Sequence, residues 1–511
     1  MQRFSGALAL ALLLVLPGVA WSDESKEATE APAPVVEPKA IVTSHQVQVD
    51  GQTIRYKATA GWLIMKDDAG AATARFGYTA YTKEGVNDPT QRPVLFAFNG
   101  GPGSSSIWLH MGILGPRRIE VDDAGVTPPP PVSIVDNAFT VLDVTDIVMI
   151  DPVGTGYSKV LGEGKIEDHW GVDQDIRSVA DFILQWVTEN ERWRSPKYVL
   201  GESYGGIRAP GLAYHLQTQR GTSLNGVVLV SPFMDFALGA DGIGLDLPHA
   251  LYLPSLAATA WYHDRIENKP ADQRAFLDEV ESFAMNEYLP ALLAGYTLPQ
   301  AEQQKIASKL GAYTGTSADY WLKAGLRVSH GQFLQELQRD DRLIAGRIDS
   351  RFVGPSMDAL AESQDYDPFF PSIGPPFTAG FQDYYRRELE FETDDEYVVM
   401  AQAWRTWDWK HAQPDIQGVF SPPYPNVLPD LAHAMKMNPG LGVLVQQGYY
   451  DLATPYFTAG YYMKHLDIPA EARQRIRVEY YEAGHMMYVH PESMKKYRED
   501  LAAFIRETDR L

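Results

Sequence analysis

Three observations predict an α/β fold: a mixed, mostly parallel sheet flanked by helices, with a largely helical insertion. First, short continuous apolar runs recur at residues 94–98, 147–150, 198–200, 227–230 and 443–445. Runs of that length bounded by turn residues mark strands buried on both faces. Second, segments of helical period separate several of them, the rhythm of β–α–β units. Third, the texture changes between about Pro232 and Pro423, where helical periods and Pro-rich loops take over before the strand pattern resumes.

In chain order, Arg3 precedes an apolar run at residues 7–16, and Ala20 and Ser22 suit the −3 and −1 positions of a cleavage site. The run is too short for a membrane span, so residues 1–22 predict a secretory signal peptide. Export to a periplasmic or secreted location follows, with no stable membrane span after cleavage. Residues 23–40, rich in Glu, Ala and Pro, predict a disordered linker.

The first part of the core should run over residues 41–231. It opens with alternating segments around Val47, Ile54, Trp62 and Phe76, the mark of antiparallel strands joined by turns such as residues 67–70. Buried strands follow at 94–98 and 147–150. Ile176, Val179, Ile183 and Trp186 then share a helical face, with Asp173 as the expected cap. In the insertion, residues 232–423, the periods predict helices at 272–295 and 331–344. The second part of the core, 424–511, holds strands at 443–446 and 476–480 and a closing helix opened by Pro491.

With 511 residues, 45% hydrophobic and 22% charged, the chain can bury a large core. A net charge of −22 argues against nucleic-acid binding, whose footprint is basic. There is no cysteine, so the core must hold an exported chain without disulfides, and thiol chemistry is excluded. The sequence holds no metal-ligand cluster such as His-Glu-x-x-His, and no cofactor is predicted.

The chemistry centres on residues 197–206, where a strand runs into Gly201-Glu202-Ser203-Tyr204-Gly205 and then a helix. Gly-x-Ser-x-Gly arises by chance about once in six chains this long. Its strand-to-helix setting makes it a nucleophile elbow, which exposes the serine hydroxyl on a strained turn. A serine needs a base, and the base an orienting acid. In the α/β-hydrolase arrangement these follow in the order Ser, Asp, His at strand ends. Asp451 and His485 each follow a late strand; His490 immediately precedes Pro491 and reads as a connector. The oxyanion needs two N–H donors. Tyr204 supplies one and the loop Asn99-Gly100-Gly101-Pro102-Gly103 the other, from Gly101.

Together with residues 151–158, 448–451 and 483–486, these motifs resemble the serine carboxypeptidases of peptidase family S10, in order over about residues 90–500. The resemblance implies an α/β-hydrolase fold with a cap, and removal of one residue from peptides with a free C-terminus. It implies Ser203, Asp451 and His485 as the catalytic set, and Gly101 and Tyr204 as oxyanion donors. It also implies that Asn99, Gly100 and Glu202 hold the substrate carboxylate, Glu202 as the protonated acid. The family's second glutamate falls on Ile113, which removes a like-charge cause for a raised Glu202 pKa. Family cysteines fall on Ser104 and Thr454. An esterase or acyltransferase with the same triad is the alternative, and a non-catalytic binding protein a remote one. Trp404, Trp407 and Trp409 are expected to pack the cap or line a pocket, and Arg117-Arg118 to form a solvated pair.

Overall fold

The computed structural model describes residues 39–125, 130–239, 242–414 and 424–509. The signal-peptide reading and all but the last two residues of the linker lie outside them. Strand β1 begins at Lys39, so residues 39 and 40 belong to the sheet and not to the expected linker.

Three long antiparallel strands open the sheet: β1 (Lys39–Val49), β2 (Gln52–Lys66) and β3 (Ala72–Lys83). Asp50 and Gly51, both at positive φ, turn β1 into β2, the backbone that a two-residue hairpin requires. Asp67 caps the next turn by accepting from the N–H groups of Ala69 and Ala71. Strand β4 (Val94–Phe98) is followed by a small hairpin, β5 (Arg117–Ile119) and β6 (Ile134–Asp136), then by β7 (Asp146–Ile150) and the short β8 (Lys159–Val160). Strands β9 (Lys197–Glu202) and β10 (Gly226–Val230) complete the first part. A second hairpin, β11 (Leu343–Ala345) and β12 (Val353–Pro355), lies in the helical region. Strands β13 (Gly442–Gly448) and β14 (Ile476–Tyr481) close the sheet.

The ten-stranded sheet has the order β1-β2-β3-β7-β4-β9-β10-β13-β14, with β8 beside β3. From β7 to β14 every pairing is parallel. Burial explains the sequence texture. Edge strand β1 alternates between half-buried and exposed along most of its length, whereas β4, β7, β9 and β10 are buried throughout. The core is built on these strands and on the helices Val172–Glu189 and Gly205–Arg220.

Strands β10 and β13 are neighbours in space, while helices Leu247–Tyr262, Gln273–Phe283, Gln300–Thr314 and Phe369–Arg387 lie between them in sequence. The core of the first three joins Leu253, Leu277 and Leu310 to Tyr450 and Tyr456 after β13. Residues Glu37–Leu511 make one compact unit.

Three local expectations are corrected. Gly171, not Asp173, precedes the first turn of helix Val172–Glu189; the Asp173 carboxylate instead accepts from His411 and from the Ala412 N–H. The helix expected at 331–344 ends at Glu336, and its tail becomes β11, because residues 343–345 pair with β12. Arg117 and Arg118 are half-buried rather than solvated, and Arg117 pairs with Asp136 and Glu388.

Candidate active site

The strand β9 ends at Glu202, and Ser203 turns the chain at φ +62° into helix Gly205–Arg220. A non-glycine residue held at positive φ is strained, and here the neighbours enforce it. The Ser203 N–H donates to Val230 O at 3.0 Å, and Ser203 O accepts from Gly206 and Phe233. A Cβ on Gly201 would lie 2.1 Å from Gly205 O, and one on Gly206 2.7 Å from Pro232 Cβ, so the turn closes only with glycine. The Ser203 hydroxyl makes no hydrogen bond among the described residues, and it lines a cleft of about 220 Å³ with His485.

His485 follows β14 and is buried. Its N–H donates to Ile348 O at 2.8 Å, and its ring Nδ1 lies 2.7 Å from Asp451 Oδ2. Asp451, wholly buried beyond β13, accepts from the N–H groups of Ala453 and Thr454, from Gln447 and from the Thr454 hydroxyl. Thr454 therefore completes the shell of the acid with a hydroxyl. Burial pulls the His485 pKa down, but the charge and hydrogen bond of Asp451 outweigh it, and the net shift is upward. His490 opens the last helix and bonds Ser493, in agreement with a connecting role.

The loop after β4 lies against the elbow. A Cβ on Gly100 would lie 2.4 Å from Tyr204 N, and Gly101 sits at φ +106°. The backbone N–H groups of Gly101 and Tyr204 have no acceptor among the described residues, and Gly100 and Gly101 line the cleft beside Ser203. Several contacts fix this loop. Arg208, buried and paired with Asp175 at 2.7 Å, donates to Asn99 O at 2.9 Å. Asp151, at the end of β7, accepts from the Ser106 N–H and from Tyr397. Burial pushes Asp151 up to about 7, against those two hydrogen bonds. Residues 399 and 401 accept from and donate to the backbone of Ser105 and Gly103.

Asn99 and Glu202 meet in the lining of the cleft: Asn99 Nδ2 donates to Glu202 Oε1 at 2.8 Å. The other carboxyl oxygen accepts from the Tyr488 hydroxyl at 2.8 Å. Burial pushes Glu202 up to about 7; the His485 charge and the hydrogen bonds from Tyr488 and Asn99 pull against it. The raised pKa thus comes chiefly from burial, with the Asp451 charge adding to it. Ile113 is buried, and Tyr488 packs against its neighbour Gly112, where a Cβ would lie 2.4 Å from the tyrosine ring.

All eight residues expected at the site gather here. The sequence reading missed Tyr488, Arg208 and Arg347, which also lines the cleft. Of the three tryptophans, Trp404 lines the cleft and is 57% exposed, whereas Trp407 is buried and donates to the Tyr204 hydroxyl at 3.1 Å. Trp409 packs with Phe236. Among the described residues, no group of three or more His, Cys, Asp or Glu is placed to hold a metal ion, and no helix is long and apolar enough to cross a membrane.

Comparison with known proteins agrees with this geometry. The family model described as serine carboxypeptidase matches residues 50–283, which includes the oxyanion loop and the elbow but not Asp451 or His485. Two serine carboxypeptidase-like proteins of Arabidopsis thaliana, numbers 2 and 7, are 27% and 29% identical over 171 and 138 residues. Those alignments cover 32% and 27% of this chain, and only 37% and 30% of the relatives' length. Among solved structures, Kex1Δp, a prohormone-processing carboxypeptidase from Saccharomyces cerevisiae, superposes with a TM-score of 0.53 at 15% identity, covering 88% of this chain and 92% of that one. The fold is that of the α/β-hydrolases. Over residues 50–283, a little under half of its length, the chain is thus similar to the serine carboxypeptidase family.

Proposed function

We propose that this chain is a serine-type carboxypeptidase that releases the C-terminal amino acid of peptides through an acyl-enzyme. The observation that carries the reading is the buried Asn99–Glu202–Tyr488 set, which shares a cleft with Ser203 and His485. A carboxyl raised to about 7 is protonated under mildly acidic conditions and can donate to a substrate carboxylate. In this reading the terminal carboxylate held there belongs to the residue that leaves from the attacked carbonyl.

In the reaction, Ser203 Oγ attacks the last peptide carbonyl as His485 takes its proton. Asp451 orients the imidazole through Nδ1 and stabilises the imidazolium. The N–H groups of Gly101 and Tyr204 receive the oxyanion, and the helix N-terminus behind Tyr204 favours the same charge. His485 then protonates the departing amino acid, and water repeats the cycle on the ester. Asn99, the Gly100 N–H and Glu202 hold the terminal carboxylate. The region 232–423 acts as the cap over this site. The leader at residues 1–22 supports export to a periplasmic or extracellular compartment.

The test compares a blocked dipeptide with its C-terminal amide, beside Ser203→Ala. Preference for the free acid, lost with the serine, supports the reading. Equal turnover of acid and amide would move the chain to the esterases or acyltransferases, a reading that the apolar Ile113 favours. Failure of Ser203 to react with an organophosphonate fluoride would leave a non-catalytic scaffold.

A further inference from the structure

Arg347 is the unusual residue of the cleft. It lies in the loop between β11 and β12, whose backbone supports the base through Ile348 O. Its own backbone is fully engaged: the N–H donates to Asp367 Oδ2, and the carbonyl accepts from Leu452. Its side chain is half-buried and makes no hydrogen bond or ion pair among the described residues.

The neighbouring arginine shows the contrast. Arg351 is pinned by Asp349 and Asp123. The acid nearest in charge to Arg347, Asp367, gives both oxygens to the backbone N–H groups of Arg347, Ile348 and Phe369. A guanidinium left half-buried without a counter-ion on a chain of net charge −22 is poised to receive an anion.

The position of that anion follows from the rest of the cleft. Glu202 and Asn99, joined to each other, line the cleft, and Arg347 acts electrostatically on His485 and lines the same cleft with Phe370, Met400 and Trp404. Those three apolar side chains are each more than 40% exposed. Exposed apolar surface around one cation matches a side chain with an aliphatic stem and an acidic tip. Resting on the carboxypeptidase reading, which assigns the terminal carboxylate to Asn99 and Glu202, we infer that Arg347 selects peptides whose C-terminal residue carries an acidic side chain. Arg347 is a specificity-determining group and takes no part in bond breaking.

The experiment measures kcat/KM on blocked dipeptides ending in Glu, Gln, Leu or Lys, with a matched peptide carrying Glu in the penultimate place. Wild type should favour terminal Glu over terminal Gln by roughly tenfold or more, the range of a hydrogen bond to a charged group. Arg347→Gln should bring that ratio to about one, chiefly through a higher KM for terminal Glu. Arg347→Lys should keep part of it, and Arg347→Glu should favour terminal Lys. An unchanged Glu-to-Gln ratio in Arg347→Gln overturns the inference. So does equal weakening of every peptide, or an effect that follows the penultimate residue. Release of Gln and Leu by wild type would leave the carboxypeptidase reading standing in those cases. No release of any terminal residue by wild type would end both.

Discussion

Glu202 owes its raised pKa to burial beside the nucleophile, and Tyr488 moderates it by donating to the carboxylate. The sign is therefore defined. Removing that hydrogen bond in Tyr488→Phe should raise the Glu202 pKa further, because the bond favours the ionised form. We predict that kcat/KM for free-acid peptides declines as pH rises through about 7 in wild type, following the loss of the Glu202 proton. In Tyr488→Phe the decline should move to higher pH, and in Glu202→Gln it should vanish while KM becomes independent of pH over that range. A Tyr488→Phe profile that coincides with wild type would remove Tyr488 from carboxylate recognition. Ser203→Ala should lower kcat by about a thousandfold or more, measured on the same peptides, because the oxyanion donors and binding groups remain. At this scale the nucleophile was readable because its evidence is local: glycines two residues either side of a serine between a strand and a helix. Tyr488 was not, because its partner lies 286 residues away.

The elements around the site are tied by one connecting segment. The Trp407 indole reaches Tyr204, the backbone of Asp408 pairs with Trp170 and Val172, and His411 is held between Asp173 and Asp430. Burial alone would lower the His411 pKa, but the two carboxylates raise it to about 9. A histidine raised in the folded state contributes stability that is complete below its unfolded value of about 6.5. That contribution is lost as pH rises through about 9. We predict a fall in unfolding free energy on the order of 2 kcal/mol between pH 6 and pH 10 by urea titration. His411→Gln should flatten that fall and lower stability at pH 6; an equally steep curve in the variant would exclude the pair as its source. The misassigned Asp173 belongs here. An acid near a helix start suits a cap by propensity, yet a tertiary partner at residue 411 took its oxygens. The tail of the helix expected at 331–344 met the same fate, since pairing with β12 outweighed local preference.

Across the whole molecule, the ten-stranded sheet carries the proposed nucleophile, acid and base beyond the ends of β9, β13 and β14, separated in sequence by the helical region. The net charge of −22 belongs to a chain whose proposed substrates, peptides with a free C-terminus, are anionic. Long-range repulsion between exposed charges is screened over about 8 Å at physiological ionic strength. We predict that kcat/KM for blocked, anionic dipeptides rises severalfold as salt increases from about 10 to 200 mM, with a smaller rise for neutral esters. A salt-independent rate for the anionic peptides would show that local groups alone govern association. The fold class and the candidate residues were legible in the sequence itself: buried strands as unbroken apolar runs, a glycine-bounded serine, and Asp451 and His485 after the late strands, all signals written in adjacent residues. Only the tertiary structure decided that burial is the main cause that raises Glu202, that Tyr488 stands against Gly112 beside Ile113, and that Arg347 lines the cleft without an ion pair among the described residues. Desolvation, long-range hydrogen bonds and missing counter-ions are properties of packed surroundings, and no stretch of chain carries them alone.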